Sequence, residues 1–65
     1  MAPKFTYITI EREEQDSMHR ASGRLLVEQD TRMDEFSFDI ITESELTDEE
    51  LAVQACMRQG IPLYP

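Results

Sequence analysis

The chain has 65 residues and carries 14 Asp and Glu against 6 Lys and Arg, which gives a formal net charge of −8. A chain this short forms one domain with a marginal hydrophobic core, and it has no room for an enclosed substrate cavity. Duplex DNA, RNA and anionic membrane surfaces would repel this charge, so we expect no direct nucleic-acid binding and no membrane binding.

The composition also limits how so small a domain can be stabilised. Disulfides, a structural metal and oligomerisation are the common means. Cys56 is the only cysteine, and His19 has no neighbouring Cys or His with which to hold zinc. We therefore expect no metal and no cofactor, and self-association as a homodimer. Residues 1–4 lack the apolar run of a signal peptide or a membrane span, which indicates a cytoplasmic protein.

The first half of the chain predicts two strands. Residues 4–12 alternate aromatic and β-branched side chains between two faces, which predicts the first strand. Residues 13–22 are polar and predict a long hairpin loop, with Gly23 as a candidate bulge before a second strand at about residues 24–29. Residues 30–34 lack the Asn-Gly or Asp-Gly of a tight hairpin, which predicts a looser connection of about four or five residues.

A third strand is predicted at about residues 35–42, where apolar and polar side chains alternate as in a half-buried antiparallel strand. One face of the sheet is expected to lie under a helix, through Ile8, Ile10, Leu25, Val27, Phe36, Phe38 and Ile40. The opposite face then carries Phe5, Tyr7, Leu26 and Ile41. A second apolar face of this kind predicts a homodimer or partner interface.

The helix is predicted at about residues 48–59. Thr47 and Glu50 have the spacing of a capping box at its start, and Gly60 followed by Pro62 marks its end. At helical spacing, four residues form the apolar stripe that faces the sheet: Leu51, Ala52, Ala55 and Cys56.

The fold class is therefore α+β. We expect a three-stranded antiparallel β-meander followed by one C-terminal helix packed on the sheet, in the order β-β-β-α, as a single domain over residues 1–65. Residues 60–65 form an extended tail with two interpretations. The tail packs over the second apolar face, or Leu63 and Tyr64 dock to a partner, since the neighbouring prolines pre-order the backbone.

Acidic residues occur in blocks, and in a meander the first hairpin loop and the connection to the helix can lie at the same end of the sheet. The candidate acidic partner-binding surface has six members: Glu11, Glu13, Glu14, Asp16, Glu43 and Glu45. Such a surface would attract a protein with a basic surface, and it could imitate nucleic-acid phosphates. The simpler interpretation is that these charges only solvate the surface of a small protein.

No residue set indicates catalysis, so we expect no enzyme. Asp16, Ser17 and His19 are the residue types of a hydrolytic triad, but such triads need a rigid concave scaffold. We expect a non-enzymatic protein-binding module. The sharper version of this hypothesis is an inhibitor that competes with nucleic acid. The alternative is a structural subunit that self-associates or completes a larger assembly through apolar residues: Phe5, Tyr7, Leu26, Ile41, Leu63 and Tyr64.

Overall fold

Residues 2–64 are described by a computed structural model, in which one sheet carries one helix. The strands are β1 (Lys4–Gln15), β2 (Met18–Gln29) and β3 (Arg32–Thr42), and the helix α1 spans Asp48–Gln59. The strand order is β1-β2-β3, and each strand is antiparallel to its neighbour. The predicted β-β-β-α fold is confirmed, as are the bounds of the helix.

Both hairpins are tighter than predicted. The proposed loop at residues 13–22 belongs instead to β1 and β2, which are joined by a two-residue turn at Asp16 and Ser17. Their φ angles are 54° and 66°, the left-handed values of a type I′ turn, whose twist matches the flanking strands. Asp is one of the few residues besides glycine that adopts this conformation readily. The second turn lies at Asp30 and Thr31, with Asp30 at φ 52°. The prediction of a looser connection of about four or five residues was therefore also wrong.

A β-bulge interrupts β1 where the strand leaves the core. The pairing with β2 shifts between Tyr7 and Thr9, which makes Ile8 the extra residue. The bulge is therefore in β1, and not at Gly23 as predicted. Gly23 has a different role, because a β-carbon there would overlap the carbonyl oxygen of Thr9 and lie 2.8 Å from its carbonyl carbon.

The predicted faces of β1 were wrong. Phe5 and Tyr7 lie opposite core residues of β2 and pack against the core under α1. Ile8 and Ile10, predicted to be buried, are 48% and 38% exposed. This strand carries apolar side chains on both faces, so its sequence does not indicate which face is buried. Only its pairing with β2 determines this.

The core lies between α1 and the side of the sheet that it covers. Nine residues are buried there: Ala21, Leu25, Val27, Phe38, Ile40, Leu51, Ala52, Ala55 and Cys56. The apolar stripe predicted for the helix is thus buried, and so are the predicted positions of β2. The ring of Tyr7 packs edge-on against that of Phe38, with centroids 5.9 Å apart, which extends the core to β1.

The ends of α1 have the predicted caps. The Glu50 N–H donates to Thr47 Oγ1 at 3.1 Å, and the Thr47 N–H donates to Glu50 Oε1 at 2.9 Å. The bond from the Thr47 N–H to the Glu50 carboxylate stabilises the charged form and lowers the pKa of the Glu50 carboxyl. Gly60 ends the helix in the left-handed conformation, at φ 73°.

The tail returns to the helix side of the sheet, so the interpretation that it covers the opposite face was wrong. Gln29, buried at the end of β2, donates to the Pro62 carbonyl at 2.6 Å and accepts from the Tyr64 N–H at 3.0 Å. Ile61 and Leu63 pack against the core. The last predicted tail position, residue 65, lies outside the described residues, as does residue 1.

Candidate functional site

The face of the sheet turned away from α1, called here the outer face, is charged and not apolar. Only two of the four residues predicted for it are present: Leu26, half-buried on the central strand, and Ile41, which is 55% exposed. Arg20 and Arg24 of the central strand face outward, where Arg20 lies between Glu13 of β1 and Asp39 of β3. Arg24 lies 3.6 Å from Glu35, so ion pairs occupy much of the surface assigned to a second apolar face.

Arg20 forms the strongest of these contacts. Its Nε and Nη2 donate to the two carboxylate oxygens of Asp39 at 2.9 and 2.7 Å, and its Nη1 donates to Glu13 at 3.3 Å. Hydrogen bonding from the guanidinium lowers the pKa of the Asp39 carboxyl. The contacts with Asp39 and Glu13 likewise raise the pKa of Arg20. The Arg20 guanidinium is thus bound to carboxylates of its own sheet.

The six candidate acidic residues all have exposed side chains, and they surround one end of the sheet. The register places Gln15 opposite Met18 and His19 opposite Thr42. The first hairpin turn and the connection from β3 to α1 therefore lie together. We call this region the acidic end, and its members are Glu11, Glu13, Glu14, Asp16, Glu43 and Glu45.

Three shallow depressions show which of these residues the fold brings together. Glu13, Glu14 and Glu45 line a depression of about 230 Å³. Glu11 lies beside Glu13 in a second, and Asp16 lies beside Glu13 in a third. Glu13 borders all three and is the shared residue of the acidic end. Glu43 lines none of the three and lies in the connection itself.

The cations nearest the acidic end are already engaged. Arg12 donates to the Leu46 carbonyl and to Asp48 Oδ1, both at 2.8 Å, and these contacts hold the connection against β1. His19 Nε2 lies 3.3 Å from Glu14 Oε2 and forms an ion pair when protonated. Within residues 2–64, four carboxylates of the acidic end form no salt bridge: Glu11, Asp16, Glu43 and Glu45.

Sequence reasoning missed Arg12 and Arg20 as organising residues. Arg12 links strand and helix together with Tyr7, whose hydroxyl donates to the Asp48 carbonyl. Burial, followed by the nearby charge of Asp48, raises the pKa of Tyr7 to about 12. The sequence did contain a signal for this role. The chain has only six Lys and Arg against 14 Asp and Glu, so each cation has several carboxylates with which it can pair.

The six apolar candidates do not form one surface. Phe5, Tyr7 and Leu63 pack against the core on the helix side, and Tyr64 is 44% exposed beside Gln29. As described above, Leu26 and Ile41 alone lie on the outer face.

The residue types considered for catalysis lie at the first hairpin, and the one cysteine of the sequence lies in the core. Asp16 and Ser17 form the first turn, while His19 contacts Glu14. The Cys56 thiol is buried, and burial raises its pKa. In the part of the chain described, no group of three or more His, Cys, Asp or Glu side chains is arranged to hold a metal ion.

The only helix found between residues 2 and 64, α1, is too short and too polar to cross a membrane. Comparison with protein-family models, curated proteins and solved structures finds no match to this chain.

Proposed function

We propose that this protein is a small acidic binding module of the cytoplasm that occupies a basic surface on another protein. The observation that supports this most directly is the set of carboxylates at the acidic end, four of which have no salt bridge within residues 2–64. The nearby guanidinium groups of Arg12 and Arg20 are bound to acceptors of the chain itself.

The acidic end combines residues of a strand with residues of the connection between β3 and α1. Glu13 and Glu14 are carried by β1, whereas Glu45 lies in the connection, and the three line the same depression. Carboxylates in such a group can accept bidentate hydrogen bonds from the Arg side chains of a partner. A net charge of −8 also accelerates encounter with a basic protein, and this acceleration weakens as salt is added.

In its sharper form, the module competes with nucleic acid. The partner would be a nucleic-acid-binding protein whose Arg and Lys side chains normally contact phosphates. Exposed carboxylates would replace the phosphates in these charge-assisted hydrogen bonds. Bound nucleic acid and this protein would then exclude each other from the same basic surface.

The test is capture of host proteins on the immobilised chain at low and high salt, followed by affinity measurement for each captured protein. The variant is Glu11→Gln, Asp16→Asn and Glu45→Gln together, three carboxylates of the acidic end that form no salt bridge within residues 2–64. The control removes three charges elsewhere: Glu28→Gln, Asp30→Asn and Glu49→Gln. We expect a basic protein that binds the natural chain and the control, is released by salt, and binds the first variant at least ~10-fold more weakly.

Equal binding by the two triple variants would show that net charge alone, without the acidic end, causes the attraction. Capture of no specific protein at low salt would contradict the proposal as a whole. Competition between the captured protein's nucleic acid and this chain tests the sharper form.

A further inference from the structure

Two exposed apolar side chains, Met18 and Ile41, lie among the carboxylates of the acidic end. They border the third depression described above, of about 330 Å³, together with Glu13 and Asp16. Single exposed apolar residues are common on small proteins and need no explanation. A pair that shares a depression with exposed carboxylates is more specific, because it offers a partner apolar surface and negative charge at one place.

The sheet places the two side chains next to each other on the outer face. Ile41 of β3 lies directly opposite Arg20, and Met18 precedes Arg20 by two residues on β2. Residues two apart in a strand share a face, so Met18 and Ile41 are diagonal neighbours. Met18 is 37% exposed and Ile41 is 55% exposed. Both side chains therefore offer apolar surface to a partner.

The charged groups around this pair favour a basic partner. Arg20 borders the depression, but its guanidinium is bound to Asp39 and Glu13. Within residues 2–64, Asp16 forms no salt bridge, and Glu13 accepts from Arg20 only at Oε1. A carboxylate can accept further hydrogen bonds at its second oxygen. The side chain that fits the depression best is thus apolar, with basic side chains beside it.

The chemistry of Met18 favours an aromatic occupant. The methionine thioether is polarisable and makes favourable contacts with aromatic rings, and its unbranched chain adapts to their shape. We propose that Met18 and Ile41 receive an aromatic side chain of the partner, while Arg or Lys beside it binds Glu13 and Asp16. This inference rests on the proposed function, because the depression belongs to the acidic end.

The proposal defines the class of partner more closely. Proteins that bind single-stranded nucleic acid hold the backbone with Arg and Lys and stack the bases on aromatic side chains. On such a protein, the apolar pair takes the place of a base and the carboxylates take the place of phosphates. A protein that contacts only the phosphates of a duplex needs no aromatic residue at that surface.

The experiment follows binding of short peptides to the isotope-labelled chain by NMR, at low and high salt. The probes are capped peptides with two basic residues on each side of a central Phe, Leu or Ala, so that all three carry the same charge. We expect the Phe peptide to bind ~5- to 10-fold more tightly than the Ala peptide, with the Leu peptide between them. Salt should weaken all three by a similar factor and preserve their order.

Two double variants of unchanged net charge locate the contact. Met18→Gln with Ile41→Thr removes the apolar pair. Met33→Gln with Ile8→Thr makes the same changes at exposed positions outside the acidic end. The first variant should lose the preference for Phe over Ala, and the second should keep it. Both should bind the Ala peptide as the natural chain does, because the carboxylates are unchanged.

The outcomes separate this inference from the proposed function. Equal affinity for the Phe and Ala peptides would overturn the aromatic contact and leave the acidic end as a charged site. The contact is likewise excluded if Leu matches Phe, or if the two double variants lose the preference equally. Failure of all three peptides to bind at low salt would instead contradict the proposed function.

A measurement on the natural chain covers the case in which a variant folds poorly. The ring current of a bound Phe shifts the signals of methyl groups that it contacts. The Met18 and Ile41 methyl signals should therefore move with the Phe peptide and stay nearly fixed with the Ala peptide. Equal shifts with both peptides would contradict the proposal.

Discussion

Arg12 Nη2 lies 2.8 Å from Asp48 Oδ1, and this contact joins residues 36 positions apart in the sequence. The same guanidinium donates to the carbonyl of Leu46 immediately before the helix cap. One cation therefore holds the connection and the start of α1 against β1. It also removes from the acidic end a positive charge that would otherwise balance its carboxylates.

Replacement of Arg12 by Gln should lower the free energy of unfolding by about 1 kcal/mol, because the pair is partly exposed and only one of its bonds is to a charged group. Urea unfolding followed by circular dichroism measures this. Lys4→Gln removes the same charge from an exposed position of β1 and should have almost no effect. An equal loss in both variants would show that Arg12 acts only through net charge.

Replacement of Gly23 by Ala should cost about 2–3 kcal/mol or more, because the added methyl group overlaps the backbone of Thr9 and must displace β1. Gly60→Ala provides the comparison. The added β-carbon meets no atom within 4 Å, so the substitution costs only the strain of a left-handed backbone at φ 73°. We expect this to lower the free energy of unfolding by about 1 kcal/mol. Thermal and urea unfolding of the two variants should preserve this order, and a milder effect at Gly23 would contradict the described approach of the strands.

Replacement of Gln29 by Ala should release the tail. The change leaves the Pro62 carbonyl and the Tyr64 N–H without their partner, at a cost of about 1–3 kcal/mol. Hydrogen exchange at the Tyr64 amide should accelerate in the same variant, because this amide loses its acceptor. Gln54→Ala, at an exposed position of α1, is the matched control. Unchanged exchange at Tyr64 would mean that packing of Leu63 alone holds the tail.

Stability should decrease as the pH falls through the acid range. Folding lowers the pKa of both Asp39 and Glu50, so their contribution is present above the ordinary carboxyl pKa and is lost as the pH falls through the folded values. Urea unfolding between pH 7 and pH 2 measures the dependence. It should be shallower in Asp39→Asn and in Glu50→Gln, while Glu49→Gln serves as a neighbouring control. An unchanged slope in both variants would contradict the assignment.

Sequence reasoning succeeded where the signals act over a few residues. Thr47, Glu50 and Gly60 specify the start and end of α1 through backbone hydrogen bonds made within one helical turn. The apolar stripe of the helix follows from its period alone. The β-β-β-α order could be predicted for the same reason, since each element has its own local pattern.

The same reasoning failed for the lengths of the strands. Residues 13–20 are polar because the first hairpin extends beyond the area that α1 covers, where solvent reaches the exposed side chains of both strands. Such a strand has no apolar alternation to identify it. Its turn at Asp16 and Ser17 also lacks the glycine that usually marks a tight hairpin.

By itself, the sequence determined the acidic character, the helix with both caps and the order of the elements. The tertiary structure decided which face of β1 is buried, because that depends on the bulge at Ile8 and on the approach of β1 to Gly23. It also decided which carboxylates remain free, since Arg20 could have bound any of several acidic residues. Capping signals act between neighbours in the chain, whereas strand register and ion pairs arise only when distant segments meet.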